Sequence, residues 1–172
     1  FDLDCKIQGF KFQPANEDAQ FPSIMLKIGY AYNSTPKHKR LEAGASPSII
    51  KIDFSLNEPI IDMENIDLGS GQTIKAYAFS EIVAEKLRSL LQQEKRDRYR
   101  RQDIYDIRLL VENGVSEDKV KVILSSLIVK SKARGIDPNP ESLADPEVRR
   151  RAQRDYQTLK DEIEGNLPDF DE

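Results

Sequence analysis

The chain has no tryptophan, one cysteine and one histidine among its 172 residues. A lone cysteine, Cys5, excludes an internal disulfide framework and suits a reducing cytoplasm. A lone histidine, His38, leaves a zinc site short of nitrogen and sulfur ligands; set among Lys37, Lys39 and Arg40, it reads as solvated surface. No apolar run is long enough to span a bilayer, and neither a signal peptide nor a lipidation motif is present. A cytoplasmic protein without a membrane partner is expected. The chain also lacks an initiating methionine, and we read its N-terminus as cut from something longer. Internal repeats and low-complexity tracts are missing too.

Charge is abundant, at 33% of residues, and the net value of −4 conceals an uneven distribution. Lys95, Arg96, Arg98, Arg100 and Arg101 form a basic cluster. Such a run is either a solvated face or a phosphate-binding surface.

Alternation of apolar and polar residues predicts three strands. Phe1, Leu3, Cys5 and Ile7 alternate with Asp2, Asp4 and Lys6, and Gly9 then shifts the register so that Phe10 and Phe12 become the apolar set, as a bulge would. A turn is expected over residues 14–18. Ile24, Leu26, Ile28, Tyr30 and Tyr32 mark a second strand, and a hydrophilic loop is expected over 33–47. The third strand, over 48–56, sets Ile50, Ile52, Phe54 and Leu56 opposite Lys51, Asp53 and Ser55. The Gly-Ser-Gly at 69–71 reads as a turn, because it lacks the lysine and following helix of a P-loop.

The rest of the chain is organised around residues 74–111, a short apolar strand followed by two helices. Ser80 is placed to cap the first helix, expected over 81–93, with Glu81 and Glu85 at the positive end of its dipole. Its apolar stripe is Ile82, Val83, Leu87, Leu90 and Leu91, and Lys86 falls inside that stripe. An unpaired buried ion costs several kcal/mol, so Lys86 either snorkels to water or meets an anion. The second helix offers Asp103, ahead of Ile107, Leu110 and Val111, with Asp106 at the edge of its stripe. Either Asp103 is an N-cap beside a snorkelling lysine, or the two helices meet at a polar site. A third helix is expected from Ser116, with Val120, Ile123, Leu124, Leu127 and Ile128 inward and Gly135 closing it. A last helix, capped by Asp145-Pro146 and reaching about residue 164, carries only the narrow stripe Ala152, Tyr156, Leu159 and Ile163, suited to weak packing or a partner. The acidic tail over 166–172 is expected to be mobile.

Asp2, Asp4 and Asp53 lie on the polar faces of strands whose other faces are apolar. In one sheet the three would project to the same side. Two carboxylates about 4 Å apart repel by about 4 kcal/mol at an effective dielectric near 20, so such a cluster wants a cation. Oxygen-only ligands suit Mg²⁺ or Mn²⁺, and a carboxylate-held metal pair serves phosphoryl and nucleotidyl transfer.

The Asp-x-Asp strand, the later Ile-Lys-Ile-Asp-Phe, Ala-Tyr-Ala-Phe-Ser-Glu-Ile-Val-Ala-Glu-Lys-Leu-Arg-Ser-Leu and Arg-Gln-Asp-Ile-Tyr-Asp-Ile together resemble the AbiEii-type nucleotidyltransferase toxins of bacterial toxin–antitoxin and phage-defence systems, a branch of the polymerase-beta-like superfamily. The resemblance covers residues 1–111. It implies that Asp2 and Asp4 bind metal, that Asp53 is the third acid, that Lys86 contacts the nucleotide phosphates, and that Asp103 or Asp106 orients Lys86 or assists the chemistry. In the alternative register Asp2 is the second acid, its partner precedes Phe1 and Asp4 is a neighbour only. Arginine at 96–101 falls where the family carries it, and Arg100 and Arg101 would suit phosphate. The family's glycine turn and helix ahead of the Asp-x-Asp strand have no counterpart, so the chain reads as N-terminally truncated.

The expectation is therefore an α+β protein: residues 1–78 a nucleotidyltransferase-like mixed sheet with helices on one side, and residues 79–172 a helical C-terminal part. Its substrate would be an NTP with Mg²⁺ or Mn²⁺, and its acceptor RNA, tRNA included, or protein. A cognate antitoxin would be its partner. The alternatives are a metal-dependent nuclease using the same acids, and a non-catalytic fragment that binds a partner.

Overall fold

The structure is a computed structural model describing residues 2–14 and 20–171. Phe1 and most of the turn expected over 14–18 therefore lie outside the described residues. The chain packs as two compact units, Phe1–Glu58 and Pro59–Glu172. The α+β class is as expected, and the described strands form two antiparallel sheets.

The first unit is a three-stranded sheet in the order β1 (Leu3–Gln13), β2 (Ser23–Tyr32), β3 (Ile49–Ser55). Its register shifts between Ile7 and Gly9, where the sequence places a bulge. Apolar residues then align across all three strands: Ile7, Ile28 and Ile50; Phe10, Leu26 and Ile52; Phe12, Ile24 and Phe54. The region expected as a loop over 33–47 contains a short helix, α1 (Lys37–Glu42). It lies on the opposite, polar face, where Leu41 and Ala31 are buried. Lys6 Nζ donates to Glu42 O at 2.6 Å and fixes its end. Gly29 is required beneath it, because a Cβ there would meet the Gln8 side chain at 2.4 Å and Ser46 at 2.9 Å.

The second unit opens with a hairpin, β4 (Met63–Gly69) and β5 (Gln72–Tyr77). Only its turn and second strand carry a clear pattern, since β4 mixes Glu64, Asn65 and Asp67 with Met63, Ile66 and Leu68. Four helices follow: α2 (Phe79–Leu91), α3 (Arg101–Val111), α4 (Glu117–Ala133) and α5 (Pro146–Gln153). Val83 and Ala84 of α2 pack with Ile123 and Leu127 of α4, and Phe79, Leu87, Leu91, Leu110 and Val115 surround them. Ser116 and Asp145 cap α4 and α5 as their sequence positions predict. Ser80 does not cap α2: the N-cap is Ala78, and the Ser80 hydroxyl instead donates to the Asp62 carboxylate.

Two apolar stripes depart from expectation. On α4 the buried face is Ile123, Ser126, Leu127, Lys130 and Ser131, which turns Val120, Leu124 and Ile128 to solvent. The last helix stops at Arg154, because Asp155 takes a left-handed conformation at φ 58°. A 3₁₀ turn, Tyr156–Asp161, then tucks Tyr156 and Leu159 fully inside with Ala152, so the narrow stripe is firmly packed. The tail folds back as well: Phe170 meets Tyr156 edge to face at 5.2 Å, under the Arg149 guanidinium at 5.2 Å. Among the described residues no helix is long and apolar enough to cross a membrane.

Candidate functional site

The odd lysine in the stripe of α2 lies where α2 meets α3. Lys86 Nζ donates to Asp106 Oδ2 at 2.6 Å and to Asp103 Oδ1 at 3.2 Å. The polar junction is what forms, rather than a snorkelling lysine beside a capping aspartate. The Lys86 side chain stays 22% exposed, and two aspartates occupy two of the three donors an ammonium has. Burial alone would lower its pKa, but the Asp106 hydrogen bond and the Asp103 charge outweigh it and hold Lys86 above its ordinary 10.5. Lys86 is therefore a permanent cation at neutral pH, suited to holding an anion and not to taking a proton. Asp103 Oδ2 is buried without a hydrogen-bond partner, and Arg100 Nη1 stands 3.8 Å from it.

Arg100 is held there by a residue that sequence reading passes over. Gln93, fully buried, accepts the Arg100 backbone N–H at 2.9 Å and donates to Leu90 O and Val148 O at 3.2 and 3.1 Å. A glutamine at a helix end looks like surface, so no pattern marks it. Arg101 donates to Glu162 at 2.7 Å.

A second missed group lies deeper. Glu81, completely buried, meets Lys130 Nζ at 2.5 Å and accepts the backbone N–H groups of Ile61 and Asp62, both at 3.3 Å. Lys130 also donates to Pro59 O at 3.0 Å and stands 3.6 Å from Glu85, whose carboxylate takes Arg88 Nε at 3.0 Å. This network ties the start of the hairpin, α2 and α4 together. Glu81 and Glu85 read in sequence as dipole partners in the first turn of α2; the one available signal was Lys130, one turn beyond Leu127 on the inward face.

The sheet acids do not gather into one cluster. Asp4 and Asp53 share the polar face of one sheet, as their alternation predicts, while Asp2 precedes β1. However, Asp4 pairs with Ala31 and Asp53 with Met25. Those partners are six residues apart on β2, so about 20 Å of strand separates the two acids. Asp4 is engaged by His38 at 2.8 Å, which makes His38 a half-buried anchor of α1 and not free surface. Among the described residues no group of three or more His, Cys, Asp or Glu side chains is placed to hold a metal ion.

Fold and cluster together describe an α+β protein whose helical unit keeps a fixed cation between two carboxylates. A family model described as nucleotidyl transferase AbiEii toxin, type IV toxin–antitoxin system, matches residues 4–172. The chain belongs to that family, one of nucleotidyl transferase toxins, and the match extends well past residue 111, through the helices of the second unit. Comparison with curated proteins and with solved structures gives no match.

Proposed function

We propose that this chain acts in the cytoplasm to transfer a nucleotide from an NTP to RNA, with Lys86 as the contact to the triphosphate, Arg100 as its auxiliary cation, and Asp103 and Asp106 as the groups that orient Lys86. The observation that carries this reading is the Lys86–Asp103–Asp106 junction itself. A lysine in an apolar helix stripe is costly unless its position is used, and here two carboxylates on one facing helix hold it with a donor to spare. Arg101 spends one of its five donors on Glu162 and would add a further cation for phosphate. Mg²⁺ or Mn²⁺ would accompany the triphosphate as counter-ion, but Asp2, Asp4 and Asp53, spread as they are, make no shared seat for it. A type IV system implies a cognate antitoxin, which we take to be the partner of this toxin in the cell.

The test is incubation of the full-length protein with each radiolabelled NTP, Mg²⁺ and total bacterial RNA, beside Lys86→Ala and Asp103→Asn. Label should enter RNA, and Lys86→Ala should lower its rate by about 10²-fold or more, the scale of losing one charge-stabilising contact in a transition state. Asp103→Asn should fall less, because Asp106 still holds the ammonium. Labelling that survives Lys86→Ala would sink the assignment. RNA cut without NTP consumption would move the same residues to a nuclease, and label in protein alone would replace RNA as acceptor.

A further inference from the structure

The loop joining α2 to α3 and the first residue of α3 carry five cations against two acids between Glu94 and Arg101, in a chain whose net charge is −4. Tyr99 stands in the middle of it, 37% exposed. The Arg154 guanidinium lies 4.2 Å from the centre of the Tyr99 ring and also donates to its hydroxyl, while Arg151 lies 5.5 Å from the same centre. Arg151 is held in place by Glu147 at 2.7 Å and Asp97 at 3.1 Å. The ring and its two guanidinium groups thus lie together as a cluster of flat, electron-rich and electron-poor surfaces. Just before Tyr99 in the chain, Arg96 and Arg98 are exposed and make no ion pair among the described residues. The next residue, Arg100, leads through Asp103 to Lys86.

Flat aromatic and guanidinium surfaces flanked by uncommitted arginines match a single-stranded nucleic acid, whose bases stack while its phosphates need cations. An acidic peptide would use the arginines but has no need of the ring. We propose that Tyr99, with Arg151 and Arg154, is the platform on which a base of the acceptor RNA stacks, with the flanking phosphates over Arg96 and Arg98, so that the strand is led past Arg100 toward Lys86. The acceptor role rests on the proposed nucleotidyl transfer; the binding site does not.

The experiment measures fluorescence anisotropy of a short labelled single-stranded RNA with the full-length protein, without NTP, over a salt series. Tyr99→Ala should weaken binding by about tenfold, the scale of one base–aromatic stack, and Tyr99→Phe, which keeps the ring, should recover most of it. Arg96→Gln with Arg98→Gln should flatten the salt dependence by about 1.4 in log–log slope, for two phosphates of a single strand. These two residues are solvent-exposed, so that variant reads the site even where a Tyr99 variant is poorly folded. Wild-type affinity in Tyr99→Ala, an unchanged slope in the arginine variant, or polyglutamate binding as tightly as RNA would each overturn the proposal. RNA binding that needs Tyr99 without any labelling would leave the platform standing and remove the transfer reading; labelling undiminished by Tyr99→Ala would do the reverse.

Discussion

In the sheet unit Phe10 and Ile7 stand 68% and 62% exposed, whereas in the helical unit Glu81 is 0% and Lys130 2% exposed. The same chain thus leaves large apolar groups on an open sheet face and encloses a carboxylate with an ammonium between helices. Apolar pattern gives the sheet a face but does not say what lies on it. In the helical unit, by contrast, the interior is decided by partners. Glu81 can be enclosed because two backbone N–H groups and Lys130 converge on it, and Lys130 because Glu81, Glu85 and Pro59 O do. Ordering by hydrophobicity alone would have put Leu124 inside and Lys130 outside.

The sharpest way to break that comparison is to remove one member of the enclosed pair. Lys130→Ala leaves Glu81 buried beside only two backbone donors, and should destabilise the helical unit by about 3–5 kcal/mol. Urea unfolding followed by circular dichroism reads this directly. Combining Lys130→Met with Glu81→Gln keeps an acceptor for Ile61 and Asp62 while removing both charges, and should recover most of the loss. If the double variant is as unstable as the sum of the single ones, the pair is not the coupled unit described here.

This contrast also marks how far sequence reasoning reaches. Period-two alternation located β1, β2 and β3, and Gly9 located the bulge, because register in a sheet is a local property. Lys86 stood out with Asp103 and Asp106 because a charge in an apolar stripe is a conflict that only a partner resolves. Asp4 and Asp53 were correctly placed on one face, yet sharing a face says nothing about position along the strands, and the pairing that separates them depends on where β1 and β3 align with β2. Glu81, Lys130 and Gln93 were hidden because each looks like ordinary helix surface until a distant segment arrives. The stop at Asp155 was hidden because a left-handed aspartate leaves little local signature.

A milder test stays within the sheet unit and asks which of its faces holds it together. Leu41 of α1 is buried with Ala31, so Leu41→Ala should cost about 2–5 kcal/mol. Phe10→Ser removes a larger side chain that is already mostly in water, and should change stability by roughly 0.5 kcal/mol. Thermal melting of the two variants side by side decides it. Should Phe10→Ser prove the more damaging, the apolar face is covered in solution and the comparison between the units loses one of its sides.

The smallest expected effect concerns charge at the surface of α5, which the enclosed pair throws into relief. Glu147 is half-buried at the surface, and hydrogen bonds from Arg150 and Arg151 hold its pKa well below the ordinary 4.5, at about 2. A carboxyl depressed on folding contributes stability above its unfolded value and loses it as pH falls through the folded one, so the contribution of Glu147 should fade between about pH 4.5 and 2. The carboxyl carbon shift of Glu147, followed by NMR across that window, gives its titration midpoint. Arg151→Gln should move the midpoint upward, since one of its two guanidinium partners is gone, and should loosen Tyr99 at the same time through the lost contact with its ring. A midpoint near 4.5 in the unaltered protein would mean that these arginines do not hold Glu147 in solution. It would also leave Arg151 with one anchor fewer, held beside Tyr99 by Asp97 and the Gln93 carbonyl, which makes this titration a check on the surface around Tyr99 as well as on the surface charge.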